Sequence, residues 1–324
     1  MSVPAIRIKN FTKRYGKITA VDGLTLDVPK GSIFGLLGQN GAGKTTMIRT
    51  MLNLLQPTEG SIEVLGLDSV KESLEVRKRI GYLPEEPTYY TWMTVDEIVG
   101  FNAAFYPSWD QDLADKLLDD LGLPRDRKLS SLSRGMQAKV GLVMALGPRP
   151  ELLILDDPTS GLDPVVRHEF LEAMIANVQS EGGTVFFSTH LLHEMERIAD
   201  EVAIIHEGKL RLRGSLESVK KDFKKLRVIY PNVVPEVFPV EGIVRADRNH
   251  HQALLTVQKY DPVMDEALMA AGAETIEVLD LSLEEIFVEM VKGQREADPS
   301  PATTGVAEGP GAVSGAAEAE DGGA

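Results

Sequence analysis

The residues best equipped for chemistry lie between Gly38 and Thr46, where the chain reads G-Q-N-G-A-G-K-T-T. This matches G-x-x-x-x-G-K-[ST], a pattern whose glycines let backbone N–H groups turn inward around phosphate oxygens. Gly38, Gly41 and Gly43 are those glycines, with Gln39, Asn40 and Ala42 between them. Lys44 is placed to reach β- and γ-phosphates, and the hydroxyl of Thr45, followed by Thr46, suits a hard cation such as Mg²⁺. The flanks agree with this reading. An apolar run, Ile33 to Leu37, enters the loop, and Met47, Ile48, Met51, Leu52 and Leu55 leave it at helical spacing. A strand therefore delivers the loop, and a helix adds its positive end to the same anion site. A glycine turn that binds nothing has no use for both Lys and Thr at its end.

Two other strands deliver polar groups in the same manner. Leu152 to Leu155 is fully apolar and ends in Asp156 and Asp157, followed by P-T-S-G-L-D-P. A buried parallel strand with a carboxylate at its C-terminal end is what completes a Mg²⁺ site beside a phosphate loop. Thr184 to Phe187 runs into S-T-H, so His190 occupies the equivalent place on its strand. In L-S-R-G-M-Q, Leu132 to Gln137, Ser133 precedes the apolar positions Val140, Val143, Met144 and Leu146. It either caps that helix or leaves the helix N-terminus to an anion. Arg79 to Glu86, R-I-G-Y-L-P-E-E, is an apolar strand ending in a Pro-held loop, and by itself the pair Glu85 and Glu86 reads as a solvated turn.

Composition bounds the setting. At 324 residues and 43% hydrophobic, the chain has room for one large and one small domain with real cores. A net charge of -15 argues against nucleic acid as a partner, since no basic footprint dominates. The absence of cysteine excludes a disulfide scaffold and thiolate-held zinc, and fits a cytosolic setting. The N-terminus has no apolar signal core, and no apolar run approaches the roughly 18 residues of a membrane span. A task at a membrane would need a separate protein to cross it.

The remaining elements are expected in alternation. Ile6 and Ile8, then Leu24, Leu26 and Val28, mark an antiparallel pair with Tyr15 at its tip, where an aromatic ring can pack or stack on a base. The turn P-T-E-G precedes a strand pair from Ser61, and a charged helix spans Ser69 to Lys78. Thr94 to Glu97 is a capping box, Ile98, Phe101, Ala104 and Phe105 continue a helical stripe, and Leu113 to Leu121 forms a second helix. Trp92, Met93, Phe105, Tyr106 and Trp109 make this insert aromatic, either as core or as a docking surface. A helix over Val165 to Ser180 and a hairpin over 201–214 follow. Leu216 to Leu226 reads as one amphipathic helix carrying Lys220, Lys221, Lys224 and Lys225, and residues 226–294 as a small α+β unit without a chemical motif. Residues 295–324, rich in Ala, Gly and Pro and acidic, are expected to be disordered.

Taken together, these motifs stand in the order and spacing of a known family: the chain resembles the nucleotide-binding subunit of an ABC transporter over about residues 4–215. The resemblance implies an α/β fold, a P-loop NTPase of ABC type with a mostly parallel sheet, an antiparallel β-subdomain and a helical subdomain at about 88–148. Residues 1–215 would form the ATP-binding domain and 216–294 a small α+β appendage. It also implies a head-to-tail dimer that sandwiches ATP between one subunit's P-loop and the other's signature loop. By this likeness Tyr15 stacks on adenine, and Ser133, Arg134, Gly135 and Met136 form the signature that contacts ATP across the interface. Asp156 is the Mg²⁺-linked acid, Asp157 the general base and His190 the γ-phosphate switch, while Ser160, Gly161, Leu162 and Asp163 form the subunit-crossing loop. Thr45, Asp156 and Glu85 are the metal-side residues.

Four positions depart from the family. Glu85 stands where Gln is usual, which keeps an oxygen ligand for Mg²⁺ or water but adds negative charge. Arg134 replaces Gly and Met136 replaces Gln. Asp157 replaces Glu, shortening its reach by roughly 1.5 Å, and a misplacement of about 1 Å can cost on the order of 100-fold in rate. The F-Y-P-S-W-D segment and the appendage resemble single-domain subunits that pair with type-2 exporter permeases. The implied function is an ATPase, using ATP and Mg²⁺, that energises a separate integral-membrane permease from its cytoplasmic face, as a homodimer or as a heterodimer with a second ATP-binding subunit. The alternative is an ATP-gated dimerisation switch with weak hydrolysis and a regulatory role.

Overall fold

β1 (Ile6–Tyr15) and β2 (Ile18–Val28) pair antiparallel around a tight turn, and β3 (Ile33–Leu37) then runs into the glycine loop and α1 (Lys44–Met51). The computed structural model describes residues 3–179 and 182–297. β4 (Glu59–Val64) and β5 (Leu67–Asp68) return to the first hairpin, giving a four-stranded sheet in the order β2-β1-β4-β5. α2 (Ser73–Lys78) is shorter than its charge pattern suggests. The Asp68 carboxylate accepts hydrogen bonds from the Val70 and Lys71 N–H groups and holds the preceding residues in a turn.

β6 (Ile80–Leu83) leads into the helical segment α3 (Val95–Ala103), α4 (Gln111–Asp120) and α5 (Arg134–Leu146). The expected capping box is present: Glu97 N–H donates to Thr94 Oγ1 at 3.2 Å and Thr94 N–H to Glu97 Oε2 at 2.8 Å. β7 (Leu152–Asp156), α6 (Pro164–Gln179), β8 (Thr184–Thr189), α7 (Leu192–Ile198), β9 (Glu201–His206) and β10 (Lys209–Ser215) complete a six-stranded sheet ordered β10-β9-β3-β8-β7-β6. Neighbours in it are parallel except β9 and β10. Strands β3, β7 and β8 are buried along their whole length because both faces are covered, whereas edge strand β10 carries Lys209, Arg211 and Arg213. Phe34, Leu36, Ile154, Phe186 and Ile205 enter a core shared with α1 and the antiparallel sheet. Ile33, Leu37, Leu155, Phe187 and Ile204 enter the opposite core, under α5, α6 and α7.

After β10 come α8 (Leu216–Asp222), β11 (Lys224–Ile229), β12 (Ile243–Arg248), β13 (Gln252–Val257), α9 (Val263–Ala270), β14 (Thr275–Asp280) and α10 (Leu283–Ala297). The strands form an antiparallel sheet ordered β12-β13-β11-β14. The single helix expected over Leu216 to Leu226 is corrected here. It stops at Asp222, and Lys224 and Lys225 belong to β11, where their ammonium groups meet Asp280 at 2.5 Å and Glu289 at 2.9 Å. Pairing of β11 with both β13 and β14 satisfies backbone groups that the helical alternative would have kept local. The basic run is thus split between two elements and balanced by acids. α10 extends to Ala297, past the expected start of the tail at 295; the rest of that tail, like Ser180 at the end of the expected α6, lies outside the described residues.

In the helical segment Tyr90, Trp92, Phe101 and Phe105 are exposed together, with ring centroids 5.7 Å apart for Tyr90–Phe101 and 5.2 Å for Phe101–Phe105. Trp109, by contrast, packs against the core. The appendage is not a bead on a string. Leu283 and Ile286 of α10 are fully buried in the same cluster as Met195 and Ile198 of α7, and Leu283 N–H donates to Glu196 Oε1 at 2.7 Å. Ile286→Ala is therefore expected to cost about 2–5 kcal/mol of unfolding free energy. Chemical denaturation measures it; an unchanged midpoint would show that α10 does not share the larger core.

Candidate functional site

The phosphate-loop geometry starts at Gly43, whose φ of 104° caps α1 in a conformation that side chains resist. A Cβ there would lie 2.7 Å from the Ala20 carbonyl oxygen, so the loop can close on the β2 backbone only with glycine. α1 has no side-chain cap and no acid in its first turn, leaving its first N–H groups directed to the loop's concave side. That side is a cavity of ≈ 250 Å³ lined by Ala20, Gln39, Asn40, Gly41, Gly43, Lys44, Thr45, Thr46, Glu85, Asp156 and Asp157. The Lys44 ammonium is buried and donates to the Gly38 carbonyl at 2.6 Å. Burial pulls its pKa down, and the charges of Asp157, Asp156 and Glu85 oppose that pull.

The acids arrive from parallel strand ends. In the register of β7 and β8, Asp156 lies beside Ser188, and Ser188 Oγ donates to Asp156 Oδ1 at 2.7 Å. The same oxygen accepts from Thr45 Oγ1 at 3.2 Å, joining the loop to β7. Asp157 N–H donates back to Ser188 Oγ at 3.1 Å, which fixes the chain as it turns out of the strand with φ of 45° at Asp157. Asp157 Oδ2 sits 2.5 Å from His190 Nδ1, whereas its Oδ1 is buried without a hydrogen-bond partner. Glu85, on the loop after β6, is more open. Burial chiefly, then the charges of Asp157 and Asp156, raises its pKa above the usual carboxylate value.

The residues Ser133 to Met136 and Ser160 to Asp163 are placed elsewhere. Ser133 accepts from Met136 N–H at 3.2 Å and caps α5, and none of the four signature positions lines the phosphate-loop cavity. Arg134 and Ser160 instead border a second hollow of ≈ 320 Å³ with Glu85 and Leu162. The Arg134 guanidinium lies so close to Gly161, φ 72°, that a Cβ there would be 2.8 Å from Nη1. Tyr15 stands at the exposed tip of the β1–β2 hairpin with the Lys13 ammonium 5.1 Å from its ring centroid. Ser188 was not singled out by sequence reasoning. Its signal was available: it precedes Thr189 and His190 on a strand that had to end level with Asp156.

A P-loop with strand-end acids at the C-terminal edge of a parallel sheet defines a nucleotide-binding α/β protein. The family model described as ABC transporter matches residues 21–160. The bacitracin transport ATP-binding protein BcrA of Bacillus licheniformis is 39% identical over 222 residues, covering 68% of this chain and 72% of its own. The ABC transporter ATP-binding protein YtrB of Bacillus subtilis is 27% identical over 290 residues, covering 90% of this chain and 99% of its own, the appendage included. A solved structure of an ATP-binding subunit of an ABC transporter superposes with a TM-score of 0.62 at 29% identity, covering 67% of this chain and 92% of that one. The chain belongs to the ABC transporter ATP-binding proteins, and its fold is the P-loop NTPase fold of that family.

Gly43→Ala tests the loop. Strain at a positive φ and contact with Ala20 are expected to cost about 1–3 kcal/mol of stability and to abolish measurable nucleotide binding in a fluorescence titration. Wild-type affinity in a folded variant would refute the geometry.

Proposed function

We propose that this chain binds and hydrolyses ATP to energise a separate integral-membrane permease, an exporter, through a dimer that sandwiches ATP between subunits. One observation carries the proposal: a single cavity gathers the glycine loop, Lys44, the Thr45–Asp156 contact and Asp157, whose Oδ2 lies 2.5 Å from His190 Nδ1. In this reading the backbone N–H groups of Gly38 to Thr46 cradle the phosphates. Lys44 exchanges the Gly38 carbonyl for β- and γ-phosphate oxygens. Thr45 and Asp156, two hard oxygen donors already in contact, fit Mg²⁺, which commonly takes one or two protein oxygens with phosphates and water. Glu85 faces the same cavity and is a third candidate. When bound, Mg²⁺ would neutralise charge on the phosphates. Asp157 accepts the proton of the attacking water, and His190 orients that carboxylate and faces the γ-phosphate.

The signature supports a dimer. Ser133, Arg134, Gly135 and Met136 lie outside their own chain's cavity, so ATP contact from them requires a second subunit, identical or different. Ser160, Gly161, Leu162 and Asp163 sit beside them and would cross the same interface. Tyr15, exposed at its hairpin tip beside Lys13, is the residue proposed to stack on adenine. Among the described residues no helix is long and apolar enough to cross a membrane, so the crossing falls to a partner. The exposed cluster Tyr90, Trp92, Phe101 and Phe105 is the docking surface proposed for that permease, at the cytoplasmic face. The relative named for bacitracin transport supports a transport role. The short side chain of Asp157 favours a second reading, an ATP-gated dimerisation switch with little turnover.

Lys44→Ala should weaken ATP binding by about 1.5–3 kcal/mol, roughly ten- to 150-fold, through loss of charge-assisted hydrogen bonds. Titration with an ATP analogue measures it, and unchanged affinity would remove Lys44 from the site. For Asp157, single-turnover hydrolysis separates the two readings. A general base held slightly short makes Asp157→Glu faster and Asp157→Asn slower, with affinity little changed. Equal rates for wild type and Asp157→Asn would favour the switch.

A further inference from the structure

A buried acid outside the phosphate-loop cavity, Glu194, touches Thr159, which precedes the segment proposed to cross between subunits, and Arg167, which reaches the Leu162 carbonyl within it. Glu194 lies in the first turn of α7, only 3% exposed, four residues after His190. Thr159, itself fully buried, donates from Oγ1 to Glu194 Oε2 at 2.6 Å. The other oxygen, Oε1, is 2.9 Å from Arg167 Nε on α6, an ion pair whose angle falls short of a hydrogen bond. Arg167 in turn donates from Nη2 to the Leu162 carbonyl at 3.1 Å, and its Nη1 lies 3.4 Å from His193 Nε2. Asp163 Oδ1 accepts from the Val165 and Val166 N–H groups at 3.0 and 3.1 Å, closing the segment onto α6. Residues 159–163 are thus suspended between α6 and a single carboxylate on α7.

The other end of this arrangement is the histidine. Leu191 N–H donates to Thr189 Oγ1 at 2.9 Å, making a tight turn that joins His190 directly to α7. Burial pushes the Glu194 carboxyl pKa up, and the Thr159 hydrogen bond and Arg167 work against it. A carboxylate this deep is expensive to desolvate, and a stability role alone could be filled by apolar packing.

We infer that Glu194 is a positioning residue that couples His190 to Ser160–Asp163, so that movement of His190 toward a γ-phosphate shifts the segment presented to the other subunit. The inference rests on the ATP-sandwich reading above. It assigns the Thr159 hydrogen bond as the coupling link, with Arg167 holding the carboxylate in place. Contact of Glu194 with substrate forms no part of it.

The test uses the full chain with ATP and Mg²⁺, comparing wild type, Glu194→Ala, Glu194→Gln, Thr159→Val and the Glu194→Ala/Thr159→Val double variant. Glu194→Ala and Thr159→Val should each lower kcat about tenfold while the nucleotide Kd stays within about twofold. The double variant should be no slower than the worse single one, because both remove the same link. Glu194→Gln, which keeps an acceptor for Thr159, should recover most of the loss. Hydrogen exchange supplies a readout independent of turnover. ATP should change exchange of peptides spanning 158–163 in the wild type, and Glu194→Ala should abolish that change. The same ATP response in both proteins, no response in the wild type, additive kcat losses, or a lowered Tm with kcat intact would each overturn the inference. A wild type that binds ATP without hydrolysing it would instead refute the ATPase proposal, leaving the exchange comparison to decide on Glu194.

Discussion

The hydrogen bond from Ser188 to Asp156 ties the ends of β7 and β8 at 2.7 Å and fixes where two buried carboxylates stand relative to one buried ammonium. Electrostatics makes that arrangement demanding. Unit charges about 4 Å apart interact by roughly 4 kcal/mol at the effective dielectric of protein sites. Three carboxylates, Asp156, Asp157 and Glu85, share the cavity with one ammonium, Lys44, and the left-handed backbone at Asp157 and its unpartnered oxygen persist because the surrounding structure over-determines them. The site is stable as part of a stiff sheet, and no loop alone could hold it.

That stiffness comes from a sheet buried on both faces. Phe34 stacks on Phe186 across neighbouring strands, with centroids 5.8 Å apart, on the side of α1. Leu37, Leu155 and Phe187 point the opposite way, toward α5, α6 and α7. Each strand therefore feels two cores, and a one-residue slip of any of them would move Asp156, Ser188 or Leu37 out of line with its neighbours. The appendage joins the same economy through α10, which packs on the helix that starts two residues after His190.

Most of the site could be read from residue order because its motifs are local: the glycine spacing, the apolar strand before Asp156 and the S-T-H ending each act within a few residues. Ser188, Thr159 and Glu194 escaped notice for the opposite reason. Their meaning lies in partners 32, 35 and 35 positions away, and nothing in the spacing of E-M-E-R around Glu194 distinguishes it from an ordinary surface helix. The misplaced helix end at Leu226 has a related cause. Leu216, Val219, Phe223 and Leu226 keep a helical period, yet the backbone from Lys224 onward pairs with β13 and β14, which enter far later in the chain.

The amino-acid sequence by itself determined the phosphate loop, the alternation of strands and helices and the identity of the acids, since glycine conformations, hydrophobic period and side-chain charge are properties of short stretches. Tertiary structure decided which acid faces which base. Parallel pairing of β7 and β8 brought His190 within 2.5 Å of Asp157, while the docking of α5 left Ser133 to Met136 outside their own chain's cavity and that of α7 buried Glu194 against Thr159. The physical reason is that side-chain direction and burial are set by the register of strands and the docking of helices, which depend on contacts between residues remote in the chain.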